Sequence, residues 1–129
     1  MMGYATIGTN DMPRALAFYD ALLADVGGRR GMDLGERGCI YVGKTVGEQM
    51  LGVMRPYDNQ PATPGNGTMV ALTAPDPATV DRLHARALAL GGTDEGAPGP
   101  RPAEGSPFYG AYARDLDGNK LAFYHWRQS

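Results

Sequence analysis

Apolar residues recur at helical spacing in two places along the chain. Leu16, Tyr19, Leu22, Leu23 and Val26 form one stripe, and Val80, Leu83, Ala87 and Leu90 form another. Residues three and four apart share one helix face, so each stripe predicts an amphipathic helix packed on a core. Asn10 or Asp11 caps the first helix, and Pro13 falls in its opening turn. Asp76 caps the second, with Pro77 its first residue. A proline there forfeits no hydrogen bond, because the N–H groups of a first turn have no helical acceptor. Gly27-Gly28 and Gly91-Gly92 end the two helices, supplying the left-handed conformation common at helix C-termini.

The two helices sit inside a longer repeat. "YATIGTNDMPRALAFYDALLADVGG" and "MVALTAPDPATVDRLHARALALGG" share one layout at a spacing of about 64 residues. Pro13 matches Pro77, Tyr19 matches Leu83, Leu23 matches Ala87, and the glycine pairs match each other. Strand patterns follow each helix: "RRGMDL", "GCIYVG" and "EQMLGVMR", then a poorly defined strand near Thr93–Ala97, "FYGAYAR" and "KLAFYHW". The reading is βαβββ twice, with residues 1–60 as the first module, 61–68 as a linker and 69–129 as the second. It predicts one α+β domain of two curved mixed sheets around a cavity, with the helices outside.

Composition narrows the functional classes. The 129 residues suffice for one domain with its own core, and a net charge of −2 offers no basic stripe for nucleic acid. No apolar run reaches the length of a membrane helix, and no signal peptide is expected from "MMGYATIGTND". Cys39 is the one cysteine, which fits a reducing cytoplasm. Glycine and proline concentrate in residues 55–68 and 91–107, the second long enough to suggest a lid, a binding loop or disorder.

Chemistry-bearing residues are few. "DLDGN" (115–119) imitates part of a calcium loop, but its glycine comes two positions early and Trp126 stands where the bidentate glutamate belongs. Asp-Gly between two strand patterns is instead a hairpin signal. His84 lies beside the apolar stripe of the second helix. Alternation puts His125 on the helix side of the last strand. Cys39 has no histidine or basic partner nearby in sequence and reads as a small buried residue.

The opening helix, "TNDMPRALAFYDALLADVGG", and the closing hairpin, "YARDLDGNKLAFY", resemble those of the vicinal oxygen chelate superfamily: glyoxalases, bleomycin resistance proteins and extradiol dioxygenases. The resemblance spans essentially the whole chain and implies paired βαβββ modules and a homodimer. Metal-using members of that group take ligands at positions matching Tyr4, Leu51, Met69 and Ala122. These offer a phenol, a thioether and two hydrocarbons where a divalent cation wants imidazole, carboxylate or thiolate. No metal and no cofactor are therefore expected.

What remains is a lining. Alternation turns Tyr4, Thr6, Gln49, Leu51, Val53, Arg55, Met69, Ala71, Thr73, Ala122, Tyr124 and Trp126 toward one interior, with Tyr41 and either Tyr109 or Tyr112 joining from neighbouring strands. Such a surface suits a flat or amphipathic organic molecule, with Arg55 pairing an anionic group. The leading expectation is a metal-free, glyoxalase/bleomycin-resistance-like protein that binds a small organic ligand. An enzyme of the same superfamily, metal-dependent or using Tyr4, Arg55 or Glu104, is the second. A non-catalytic interaction domain with a filled cup is the third.

Overall fold

A computed structural model describes residues 1–44 and 49–128. They form β1 (Tyr4–Gly8), α1 (Met12–Ala24), β2 (Arg29–Asp33), β3 (Gly38–Val42) and β4 (Met50–Met54), then β5 (Val70–Thr73), α2 (Pro77–Ala89), β6 (Thr93–Arg101), β7 (Phe108–Arg114) and β8 (Lys120–Trp126). Glu48, which opens the third expected strand of the first half, lies outside the described residues.

The strand orders are β1-β4-β3-β2 and β5-β8-β7-β6. In each sheet the first strand runs parallel to the last and the remaining pairs are antiparallel. The fold is α+β, two βαβββ modules with open mixed sheets.

Helix chemistry follows the sequence closely. Asp11 accepts the amide of Arg14 at 3.2 Å and Asp76 that of Thr79 at 2.8 Å, satisfying otherwise partnerless donors of each first turn. Asn10, the other candidate cap, instead exchanges two hydrogen bonds with the backbone of Ala62, at 3.0 and 2.7 Å. Gly27 and Gly91 take φ of 77° and 101°, and the glycine after each returns its amide to Leu23 or Ala87. A side chain at either φ would be strained, so glycine is the residue that stops these helices.

One buried cluster joins Phe18, Tyr19 and Leu22 of α1, Val80 and Leu83 of α2, Tyr41 and Val53 of the first sheet, and Leu121 and Phe123 of the second. Each fully buried side chain of this size contributes about 1.5–3 kcal/mol. Both helices and one face of each sheet therefore share a single core, and the other face of each sheet is free of helix.

The segment 91–107, expected as a lid, loop or disorder, is mostly strand. β6 runs nine residues through Pro98 and Pro100 and closes on β7 by a short turn. It lies at the edge of its sheet, where a missing amide leaves no ladder bond unmade, and two register shifts absorb the irregularity. Among the described residues no helix is long and apolar enough to cross a membrane.

Candidate functional site: an open aromatic sheet face

Register decides which side chains occupy the helix-free faces. In the first sheet Tyr4, Thr6 and Gly8 pair with Met50, Gly52 and Met54, and Ile40 pairs with Gly52. These positions share the open face with Met32, and Tyr4 and Met32 remain 58% and 55% exposed. In the second sheet the pairs Phe108–Trp126, Gly110–Tyr124, Tyr112–Ala122 and Ala71–Ala122 define the corresponding face.

That second face is aromatic. The rings of Phe108 and Tyr124 stack at 5.5 Å with planes 7° apart, and Trp126 meets Phe108 edge-on at 6.1 Å. Offset and edge-on pairs of this kind add about 0.5–1.5 kcal/mol beyond area burial. The stack needs a glycine beneath it, because a Cβ on Gly110 would stand 2.5 Å from the Phe108 ring. Tyr112 lies against Gly96 of β6 in the same way, and Arg101 and Lys120 approach its ring to 5.8 and 5.6 Å.

The lining expected from alternation is divided among several places. Tyr4 and Thr6 lie on the first open face; Tyr124, Trp126, Ala71 and Thr73 lie on the second. Ala122 shares the second face by register but is only 1% exposed. Tyr41, Leu51 and Val53 turn the other way, into the core, because β4 pairs with β1 one residue out of the assumed phase. The Tyr41 hydroxyl donates to Asp20 at 2.7 Å, and burial followed by that bond pushes its pKa up. Tyr41, Leu51 and Met69 meet Ala5, Leu23 and Val26 at an apolar cleft of about 470 Å³ that Ala71 and Thr73 also line.

Arg55 follows Met54 and lines a groove of mixed character, about 770 Å³, beside α1, with Asn10, Glu36 and Gln60 and the apolar Met12 and Leu16. Tyr109 also faces a helix and donates to Asp81 of α2 at 2.7 Å; that bond raises its pKa. Of the two tyrosines left open by the sequence, Tyr112 is the one on the aromatic face. Phe108, Arg101 and Lys120 were missed. Alternation in "FYGAYAR" signals Phe108 once the buried set is recognised as Ala111 and Ala113. Arg101 stands four residues beyond the strand expected near Thr93–Ala97, because β6 continues through Pro98 and Pro100.

The positions corresponding to a divalent-cation site do not supply ligands. Tyr4 is a phenol, Met69 a thioether and Ala122 a methyl, and register replaces Leu51 on that face by Met50 and Gly52. Both histidines point elsewhere: His84 Nε2 lies 3.0 Å from Asp94, and His125 Nδ1 lies 3.0 Å from the carbonyl of Ala74. The donor set does not fit a metal.

The acidic turn is likewise committed to structure. Asp115 Oδ1 accepts the amides of Asp117 and Asn119, and Oδ2 accepts the Tyr19 hydroxyl and the Asn119 side-chain amide. Asn119 also donates to the carbonyl of Gly8 at 2.9 Å, and Asp117 receives the amide of Asn10. The turn fastens the second module onto β1 and α1 of the first.

Residues 2–123 match the family model described as Glyoxalase/Bleomycin resistance protein/Dioxygenase superfamily. The chain belongs to this superfamily. It resembles a solved glyoxalase/bleomycin resistance protein from Albidiferax ferrireducens T118, with 35% identity over 97% of this chain and 98% of that one and a TM-score of 0.83. A superfamily enzyme from Burkholderia phytofirmans PsJN shares the fold at 20% identity, over 96% and 97% of the two chains, with a TM-score of 0.72. A lactoylglutathione lyase from Agrobacterium tumefaciens does so at 22% identity, over 97% and 92%, with a TM-score of 0.68. No curated protein matches the chain.

Proposed function

We propose that this superfamily member is a metal-free binding protein for a small, flat organic molecule, held on the open face of the second sheet. The observation that carries the reading is the Phe108–Tyr124 stack, flanked by Trp126, which is 54% exposed. Phe108 and Tyr124 are half-buried beside the exposed Trp126, and aromatic groups partly open on a sheet supply contact area at small entropic cost, which suits a planar ligand. The first sheet presents a second bare surface with Tyr4 and Met32.

Two apolar faces exposed in one chain favour a homodimer in which a second copy covers them and closes the ligand in. Binding rather than catalysis is favoured by the side chains of Tyr4, Leu51, Met69 and Ala122, the positions that the family resemblance matches to metal ligands, none of which is an imidazole or carboxylate. A cytoplasmic location is consistent with the single cysteine, Cys39, whose thiol is pushed up by burial and so is poorly reactive.

Thermal shift and calorimetry against a panel of planar aromatic compounds test the reading. Stabilisation of the native protein by one such compound, lost in Tyr124→Ala and Trp126→Ala, supports it. Indifference to every member of the panel overturns it. Light scattering that shows a monomer at high protein concentration refutes the dimer.

A further inference from the structure

We infer that the ligand of the aromatic face is an anion, a flat aromatic acid whose carboxylate or comparable group is received by Arg101 and Lys120. This rests on the ligand reading above and narrows it to a chemical class.

The two cations come from the strands on either side of β7. Arg101 ends β6 and Lys120 opens β8, and both bring their charge to the ring of Tyr112. Neither has a carboxylate within ion-pair distance among the described residues, and Glu95 of β6 is already engaged by Arg114. Elsewhere exposed arginines such as Arg14 and Arg30 do sit beside aspartates. Among the described residues, Arg101 and Lys120 thus bring to the aromatic face two positive charges without an ion-pair partner, the Glu95 carboxylate being held by Arg114.

Arg101 is also held in place. Its guanidinium donates to the carbonyl of Ala97 at 2.6 Å, which fixes the side chain across β6 and leaves further N–H donors unused. A planar guanidinium so oriented matches a carboxylate or similar oxyanion better than a freely rotating one.

Distance sets the size of the ligand. Tyr112 stands opposite Ala122, two residues along β8 from Tyr124. At the rise of a strand this is about 7 Å along β8 between the ring stack and the position of Tyr112, whose ring both cations approach. A fused two-ring acid spans that interval: its rings lie against the Phe108–Tyr124 stack while its acid group reaches toward the cations at Tyr112.

The test compares 2-naphthoate with the neutral isostere 2-naphthamide by calorimetry on the full chain, together with the Arg101→Met/Lys120→Met double variant. Wild type is expected to bind naphthoate on the order of tenfold more tightly, with the preference shrinking as salt rises. The double variant is expected to lose that preference while still binding naphthamide, which also shows that it is folded. Equal binding of the two probes by wild type overturns the anion inference and leaves the ligand face standing. A preference that survives in the double variant overturns the assignment to Arg101 and Lys120. Failure of both probes to bind wild type overturns the ligand reading itself.

Discussion

The hydroxyl of Tyr19, in the first helix, donates to Asp115 Oδ2 in the last hairpin at 2.5 Å across 96 residues of chain. Tyr19 is 1% exposed, and burial followed by the Asp115 charge raises its pKa well above the usual phenol value. The neutral phenol is therefore the working form, and it supplies a donor to a carboxylate that is itself buried. This bond and the Asn119–Gly8 contact lock the hairpin of one module onto the helix and first strand of the other.

Tyr19→Phe is expected to lower stability by about 1.5–3 kcal/mol, the range for a hydrogen bond to a charged group. Asp115→Ala should cost more, since it strands the buried Tyr19 hydroxyl and removes the acceptor of two turn amides. Urea unfolding of the two variants measures both; a smaller loss for Asp115→Ala would contradict the role given to the turn.

Calcium is expected to leave the protein unchanged. All four acceptor directions of Asp115 are taken by donors of the chain itself, and Asp117 Oδ1 already accepts from Asn10. Melting curves with millimolar calcium and with chelator should superimpose. A rise in melting temperature with calcium would restore the acidic turn as an ion site.

Gly110→Ala tests the aromatic face with a single methyl. The new Cβ would displace the Phe108 ring from its stack on Tyr124. Because Phe108 is on the open side, not in the core, the fold should survive while affinity for planar ligands falls. The lone tryptophan, Trp126, touches Phe108, so its emission spectrum should shift as well.

Asp94 links stability to acid pH. The amide of Gly96 and then the ring of His84 hold its carboxyl below the ordinary value. A depressed folded-state pKa contributes stability that is complete above the unfolded pKa, near 3.9, and is lost as pH falls through the lower folded value. Wild type should therefore lose stability below about pH 4 more steeply than Asp94→Asn. Parallel acid limbs in denaturant titrations would remove this contribution.

Much of the architecture was legible because its signals are local. Asp11, Asp76, Pro13, Pro77 and the two Gly-Gly stops set helix ends through contacts within a few residues, and the duplicated layout announced two modules. The open face was harder to read. Leu51 and Tyr41 lie in strands whose alternation is plain, but alternation alone leaves two equivalent phases. Pairing of β4 with β1 chose the phase that buries them, and a one-residue offset exchanges every side chain between faces. Arg101 escaped notice for a different reason: Pro98 and Pro100 argue against a strand unless it lies at an edge, and edge position is a property of the assembled sheet.

The sequence by itself determined the two βαβββ modules and the superfamily, since each depends on residue identity and short-range spacing. Only the tertiary structure decided that Asp115 serves Tyr19, that Tyr112 and not Tyr109 faces outward, and that two cations share one aromatic ring. Those relationships join residues whose separation along the chain carries no information about their separation in space, and hydrogen-bonded register between strands is what brings them together.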